Sequence, residues 1–424
     1  MKKKPVRWYK MDSSAALYSA LQSEEFSSVY RFSVLMAEEV DPAALQRAIA
    51  RTMPRFPGFG VRIRQGLFWY YLEPNPAPGP FLREDVSDPC QPFRFHGADG
   101  WLVRFYYYRD RISFEAFHAL SDGAGAMTFF RTLLAVYLTE RGHAIPPGDG
   151  VLDVSAPPRK EELEDAYARH AGGCKAKLAY PPRAYDNTGT PEPFYVFHVT
   201  MGFVPLDLLR ARARSYGASV TEYLASALLW VILERQRAQK PYRLRPVAVG
   251  VPLNLRRYFP TETLRNFITT LSVSVDPRLG DYTFPEIVDR VRSELRLHSD
   301  RHELRAGFTR NVRFTSHPVL QFVPLFLKNP VMALNYRLVG VRPYSATYTN
   351  PGIFYVPDCM RPYIRGAEVI LGQAKVPRSN CASISYDNTM EITFAGTQVE
   401  TDTERAFFRF LIREGLPVRV ESNR

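Results

Sequence analysis

The stretch from Trp101 to Gly142 constrains the fold of this chain more than any other. Trp101 to Tyr108 and Arg111 to His118 alternate with period two about a short turn. Val103, Phe105 and Tyr107 share one face of the first strand; Ile112, Phe114, Ala116 and His118 share one face of the second. Met127, Phe130, Leu134 and Leu138 then recur at helical spacing, with Gly142 just past the end. His118 therefore ends a strand, and His118-Ala-Leu-Ser-Asp122-Gly123 spans a strand-to-helix corner, where a side chain can be presented to a cleft.

Three fixed residue types at this spacing arise by chance on the order of 0.02 times in a chain of this composition. An imidazole suits general-base work because its ordinary pKa, about 6.5, lets it take a proton near neutral pH and return it afterwards. Asp122 would orient the corner. The residues alone also allow a structural reading, in which His118 is a buried strand-end histidine, Asp122 caps the helix and Gly123 relieves its first turn.

Around this unit the chain reads as mixed α/β. Asp41-Pro42 opens a helix carrying Leu45, Ile49 and Met53, closed by Pro54 and Pro57-Gly58. Gly60 to Leu72 reads as extended segments about Gln65-Gly66, and the Pro-rich stretch Glu73 to Pro92 as loop. Further on come a strand near Phe194 to Phe203, a helix from about Asp207, strands at Val247 to Leu253 and Thr269 to Val275, and a hairpin over Ala382 to Thr393 turning at Asp387-Asn388. Capping-box patterns predict helix starts at Ser219/Glu222, Thr283/Glu286 and Thr401/Glu404. At 424 residues the chain fits two domains or one two-lobed unit. Residues 141–193, rich in Pro, Gly and charge with one helical candidate over Glu161 to His170, suggest the link. The expected division is a first lobe over 1–145, a linker over 146–193 and a second lobe over 194–424. Strand groups and helices recur comparably in both halves, as an internal duplication would give.

Composition excludes several classes. With 46% hydrophobic and 23% charged residues the chain buries a core. Cys90, Cys174, Cys359 and Cys381 are scattered without a close pair, against a disulfide framework or a cysteine zinc site. The basic start, Met1 to Lys10, lacks a following apolar run, and the most apolar window, Tyr223 to Leu233, ends in Glu234-Arg235-Gln236-Arg237. Neither an export signal nor a spanning helix is expected, and the chain reads as cytoplasmic. The net charge is +12, with ten Lys or Arg against three carboxylates over 201–257. Anionic partners suit this balance, but the aromatic and basic alternation of a single-strand nucleic-acid surface is missing, so no nucleic acid is expected.

Other patterns are weaker. His298 and His302 stand four apart on an expected helix, but among Asp300, Arg301 and Glu303 they read as a solvated face, and no metal is expected. Gly123-Ala-Gly125 continues into neither a dinucleotide fingerprint nor a phosphate loop. The Pro-broken apolar run Phe314 to Leu338 reads either as core or as the wall of a lipophilic pocket.

With the His118 motif in place, the chain resembles the acyltransferase superfamily that shares the chloramphenicol acetyltransferase fold. That superfamily includes alcohol acetyltransferases, polyketide-associated acyltransferases and peptide-synthetase condensation domains. His-x-x-x-Asp-Gly is its hallmark, read here as His118, Asp122 and Gly123. Looser matches follow in order: Asp41 to Ile49 with Arg55-Phe-Pro, Val251-Pro-Leu-Asn-Leu-Arg256 with Arg265-Asn266-Phe267, and Ile384 to Asp387 in the final hairpin. Thr349-Asn350-Pro351-Gly352 stands where the superfamily has Ser-Asn-x-Gly. The plant-branch Asp-Phe-Gly-Trp-Gly motif is missing, and Phe117 replaces the second His found before the motif His in many condensation domains. No carrier domain is recognised in 424 residues, which favours a free-standing enzyme.

The resemblance implies two similar lobes around a central tunnel, and transfer of an acyl group from a thioester, acyl-CoA foremost, to a hydroxyl or amine acceptor. His118 would be the base. Asp122 would hold the loop by pairing with an arginine, for which Arg256 is the candidate, and Gly123 would allow the close turn. Thr349, or a backbone amide over Asn350 to Gly352, would donate to the oxyanion. No metal or redox cofactor is implied; acyl-CoA is a co-substrate whose phosphates would meet basic residues of 201–257. The alternatives are a condensation-like enzyme taking its acyl group from a carrier protein, and a catalytically silent ligand- or partner-binding member of the fold. Nothing in the sequence sets the oligomeric state; a monomer is compatible.

Overall fold

The computed structural model describes residues 8–23, 26–95, 99–173, 182–193, 196–239, 243–374 and 379–424. After β1 (Tyr9–Lys10), Asp12 accepts the Ala15 amide at 2.8 Å and so starts α1 (Ser13–Leu21). β2 (Val29–Met36) is buried on both faces. α2 (Pro42–Thr52) begins at Asp41, whose carboxylate accepts the Ala43 and Ala44 amides, with Pro42 in the first turn. The extended segments expected about Gln65-Gly66 are β3 (Val61–Gln65) and β4 (Tyr70–Pro74), which pair as an antiparallel hairpin, and the stretch expected as loop contains one short strand, β5 (Leu82–Glu84). β6 (Val103–Tyr108), β7 (Arg111–Phe117) and α3 (Gly123–Glu140) form the strand–strand–helix unit. A 3-10 turn (Lys160–Leu163) and α4 (Ala166–His170) follow.

The later half runs β8 (His198–Pro205), α5 (Leu206–Ser215), α6 (Val220–Gln239), β9 (Val247–Asn254), β10 (Ile268–Val275) and α7 (Phe284–His298). Next come α8 (Arg301–Thr315), α9 (Pro318–Gln321), α10 (Leu325–Asn335), β11 (Ala346–Ile353), β12 (Ile364–Leu371), β13 (Ser379–Tyr386), β14 (Thr389–Gly396), α11 (Asp402–Arg413) and β15 (Arg419–Ser422). Two capping boxes form: the Ser219 and Thr283 amides donate to Glu222 and Glu286 at 2.6 and 2.7 Å. The third does not. Thr401 makes no side-chain cap, and Glu404 is instead buried, which pushes its carboxyl above the usual range.

Two large mixed sheets organise the chain. One has the order β12-β2-β7-β6-β5; the other has the order β10-β9-β11-β13-β14-β8-β15, and β1-β4-β3 form a small third sheet. β12, from late in the chain, pairs antiparallel with β2, Val369 lying opposite Phe32. The Val369 amide also donates to Glu391 of β14 at 3.3 Å, which ties the two large sheets together. One apolar core packs α3 on the first sheet through Phe105, Phe114, Phe129 and Phe130; another surrounds α6 through Tyr223, Leu228 and Ile232. Arg55, at the exit of α2, forks onto buried Glu162 at 2.6 and 2.7 Å and so fastens the 146–193 segment to the first sheet's helices.

Two expectations are corrected. His298 and His302 fall on separate helices, because Asp300 caps α8, and His298 instead bonds Glu303 at 2.9 Å. No group of metal-ligating side chains occurs among the described residues. The run Phe314 to Leu338 is not core: of α10 only Leu325, Lys328 and Met332 are buried, and most of its apolar side chains face solvent. Cys90, Cys359 and Cys381 are free; Cys174 lies outside the described residues. No single helix described is long and apolar enough to cross a membrane.

Candidate active site

The end of β7 places His118 where the two halves meet. Its amide donates to the Ser28 carbonyl at 2.8 Å, fixing the backbone at the corner. The ring is half-buried between two aromatics: Tyr18 of α1 stacks on it at 4.5 Å between centroids, and Tyr30 of β2 meets it edge-on at 5.1 Å.

Asn266, just before β10, determines which ring nitrogen is bare. Its Nδ2 donates to the His118 carbonyl at 2.9 Å, so its Oδ1, 3.2 Å from His118 Nδ1, is left to accept. Nδ1 therefore carries the proton in the neutral ring and Nε2 offers a lone pair. Burial holds the His118 pKa below its usual 6.5, outweighing the opposing pull of its own carbonyl, Asp122 and Asn266. The ring is thus neutral at pH 7.

Asp122 is fully buried and uses both oxygens. Oδ1 accepts the Ala124 and Gly125 amides at 3.1 and 3.2 Å, capping α3; Oδ2 accepts Arg256 Nη1 and the Phe267 amide, both at 2.7 Å. Arg256 spends its remaining donors on the Thr263 and Arg265 carbonyls and on Asn254. The pair therefore clamps the corner of the first sheet to the loop between β9 and β10, and is too committed to touch a substrate. Ser121 adds a further bond to the Leu264 carbonyl at 2.5 Å.

The glycine that the corner requires is not the one the motif names. A Cβ on Gly123 would meet only Phe32 and Pro351, each at an ordinary 3.7 Å, whereas a Cβ on Gly125 would collide with the Leu264 carbonyl and the Ser121 hydroxyl. That same 3.7 Å brings the bulged stretch 349–352 of β11 beside the motif. Within this stretch Asn350 is structural: Nδ2 donates to Thr221 at 3.1 Å and Oδ1 accepts the Gly352 amide at 2.9 Å. Gly352, at φ +97°, therefore has its amide committed, and Pro351 has none. The half-buried Thr349 hydroxyl remains as the side-chain donor of this stretch.

Sequence reasoning missed Asn266, Tyr18 and Tyr30 as site residues. Asn266 had one signal, its place in Arg265-Asn266-Phe267; the tyrosines had none, since α1 and β2 were not read as elements. Part of the basic excess of 201–257 is met by carboxylates elsewhere in the chain: Arg212, Arg237 and Arg256 pair with Glu414, Asp281 and Asp122 at 3.0, 2.8 and 2.7 Å. Arg210, Arg214 and Arg257 stay at the surface.

No protein-family profile and no curated protein sequence matches the chain. Solved structures do share its architecture. Polyketide synthase associated protein 5 from Mycobacterium tuberculosis superposes with a TM-score of 0.65 at 16% identity, covering 96% of this chain and 97% of that one. The first condensation domain of the CDA synthetase gives 0.64 at 16% identity, covering 98% and 100%. The starter condensation domain of rhizomide synthetase RzmA gives 0.55 at 12% identity, covering 96% and 95%. The chain thus carries the two-lobed mixed α/β fold of the condensation domains and of the chloramphenicol acetyltransferase-like acyltransferases.

Proposed function

We propose that the protein is an acyltransferase that moves an acyl group from a thioester, acyl-CoA in the first instance, to a hydroxyl or amine. The observation that carries this reading is the His118–Asn266 pair, which leaves a neutral imidazole with Nε2 bare at the junction of the two halves. His118 Nε2 takes the proton as the acceptor oxygen or nitrogen attacks the thioester carbonyl. Thr349 donates to the oxyanion of the tetrahedral intermediate. The carbon–sulfur bond then breaks, the leaving thiolate recovers the proton from His118, and the acyl ester or amide and a free thiol depart. No acyl-enzyme is formed. Asp122, Arg256 and Asn266 position the base, and the reaction runs in a tunnel between a lobe over 1–145 completed by β12 and one over the rest of 194–424, in the cytoplasm.

The similarity to condensation domains favours a second donor, an acyl group on a carrier protein. Free-thiol release from acetyl-, hexanoyl- and palmitoyl-CoA, offered with short alcohols, long alcohols and amines, tests the first reading. Release that depends on an acceptor supports it. Transfer only from carrier-bound acyl groups replaces the donor but keeps His118, and a folded protein inert with every thioester would be a silent binding member of the fold.

A further inference from the structure

The surface formed by α9, α10 and the tip of the β3–β4 hairpin is apolar, cationic and uncovered. Phe322, Phe326 and Val319 are 75, 69 and 66% exposed, and Val331 and Leu334 extend the same surface along α10. The helix is held from below. The Leu325 amide donates to the Leu67 carbonyl at 2.9 Å, and Lys328 lies on the Trp69 ring at 3.3 Å while donating to the Phe68 carbonyl at 2.7 Å. Phe68 meets Phe322 edge-on, and Leu67 is itself exposed beside it. α10 is therefore built to stand with its apolar side outward.

The chain that forms α9 and α10 carries charge of one sign. From Leu304 to Pro357 there is no Asp or Glu, while Arg305, Arg310, Arg313, Lys328, Arg337 and Arg342 are present, all exposed except Lys328. With 43 carboxylates in 424 residues, a stretch of this length would ordinarily hold about five. Between α8 and α9 a groove of about 400 Å³ is lined by Arg313, Phe314, His317, Val319 and Leu320, apolar within and cationic at its rim. A second copy of this chain fits such a surface poorly, because a two-fold contact would set these arginines against one another. Exposed Phe and Val tips flanked by arginines match the boundary between phosphate headgroups and acyl chains.

The surface also lies close to the site. α10 packs on α1, Tyr336 just past it meets Phe26 edge-on at 5.7 Å, and Tyr18 of α1 stacks on His118. One helix separates the outward face from the imidazole.

We propose that the α9–α10 surface docks the protein peripherally on an anionic lipid bilayer, with Phe322 and Phe326 entering the interface and the arginines meeting lipid phosphate. Resting on the acyl-transfer reading above, the acyl donor or the acceptor would then be a lipid drawn from that bilayer.

Flotation of the full chain with vesicles tests the docking without assaying turnover. Vesicles of phosphatidylcholine alone are compared with vesicles holding about 30 mole per cent phosphatidylglycerol, at low and high salt. The expected result is at least tenfold greater partition onto the anionic vesicles, lost at high salt. Phe322→Ser/Phe326→Ser should lower partition about tenfold or more on both lipids. Arg337→Gln/Arg342→Gln should lower it about fivefold or more on the anionic vesicles alone. His118→Ala should bind as the native protein does, which separates failure of docking from failure of the catalytic reading. Equal weak binding to both vesicle types would overturn the proposal. So would undiminished binding by the folded variants, or a dimer or a complex with a soluble acidic protein that the Phe variants abolish without any vesicle binding.

Discussion

A histidine acts as a base only through a nitrogen that carries no proton, and Asn266 settles this for His118 by a bond 148 residues away in sequence. Asn266→Ala should lower kcat about tenfold, the kinetic equivalent of one net hydrogen bond of about 1.4 kcal/mol, and should also cost about 1–3 kcal/mol of stability, because it leaves the His118 carbonyl without its donor. Because burial lowers the His118 pKa, the rate should fall only as pH drops below the usual 6.5, and a profile of kcat/KM against pH reads that limb directly. An acid limb above pH 6.5 would contradict the buried neutral ring. The glycines give a second contrast. Gly125→Ala should cost about 3 kcal/mol in urea unfolding, through overpacking against Leu264, whereas Gly123→Ala should be tolerated within about 0.5 kcal/mol. The motif was legible because alternation and helical period fix its corner. Asn266 and Tyr18 were not, because their roles exist only after distant segments have folded together.

At the scale of elements, the β7–α3 corner and the β9–β10 loop are locked by Asp122 and Arg256, whose side chains are 0 and 16% exposed. Arg256→Met should therefore destabilise by about 3–5 kcal/mol, since it leaves a buried carboxylate short of its partner, while the neighbouring exposed Arg257→Met should cost almost nothing. Arg256→Lys should not rescue, because one ammonium cannot reproduce a fork that bonds Asp122, Thr263 and Arg265 together. The start of α1 carries a pH term. Asp12 lies 3.2 Å from Arg265, yet burial outweighs that pairing and pushes its pKa from the usual 3.8 up to about 6. The folded chain thus holds this proton more tightly than the unfolded chain. The stability it contributes is complete below about pH 4 and is lost as pH rises to about 6, an effect of at most about 3 kcal/mol. Asp12→Asn, which keeps the cap, should flatten unfolding free energy across that window. Elements with clean periodicity, such as α3, β9, β10 and the β13–β14 hairpin, were readable in the sequence. β12 was not placed, because nothing local tells a strand near residue 370 to pair with one near residue 32. The run from Phe314 to Leu338 misled for a related reason: apolar composition alone cannot distinguish a core segment from an exposed one.

At the scale of the whole molecule, catalysis as read here needs both halves. The first large sheet supplies His118 and Asp122, and the β9–β10 loop supplies Asn266 and Arg256. The fold expected from the resemblance agrees with solved structures at only 12–16% identity, so the architecture persists where most of the sequence differs. The donor and acceptor were not legible, because they depend on how side chains from separate segments line the path to His118. The most direct test of the central claim is acceptor-dependent thiol release under single-turnover conditions, native protein against His118→Ala, with unchanged circular dichroism required of the variant. The account predicts a fall of about 10²- to 10⁴-fold. Equal release by the two proteins would contradict it.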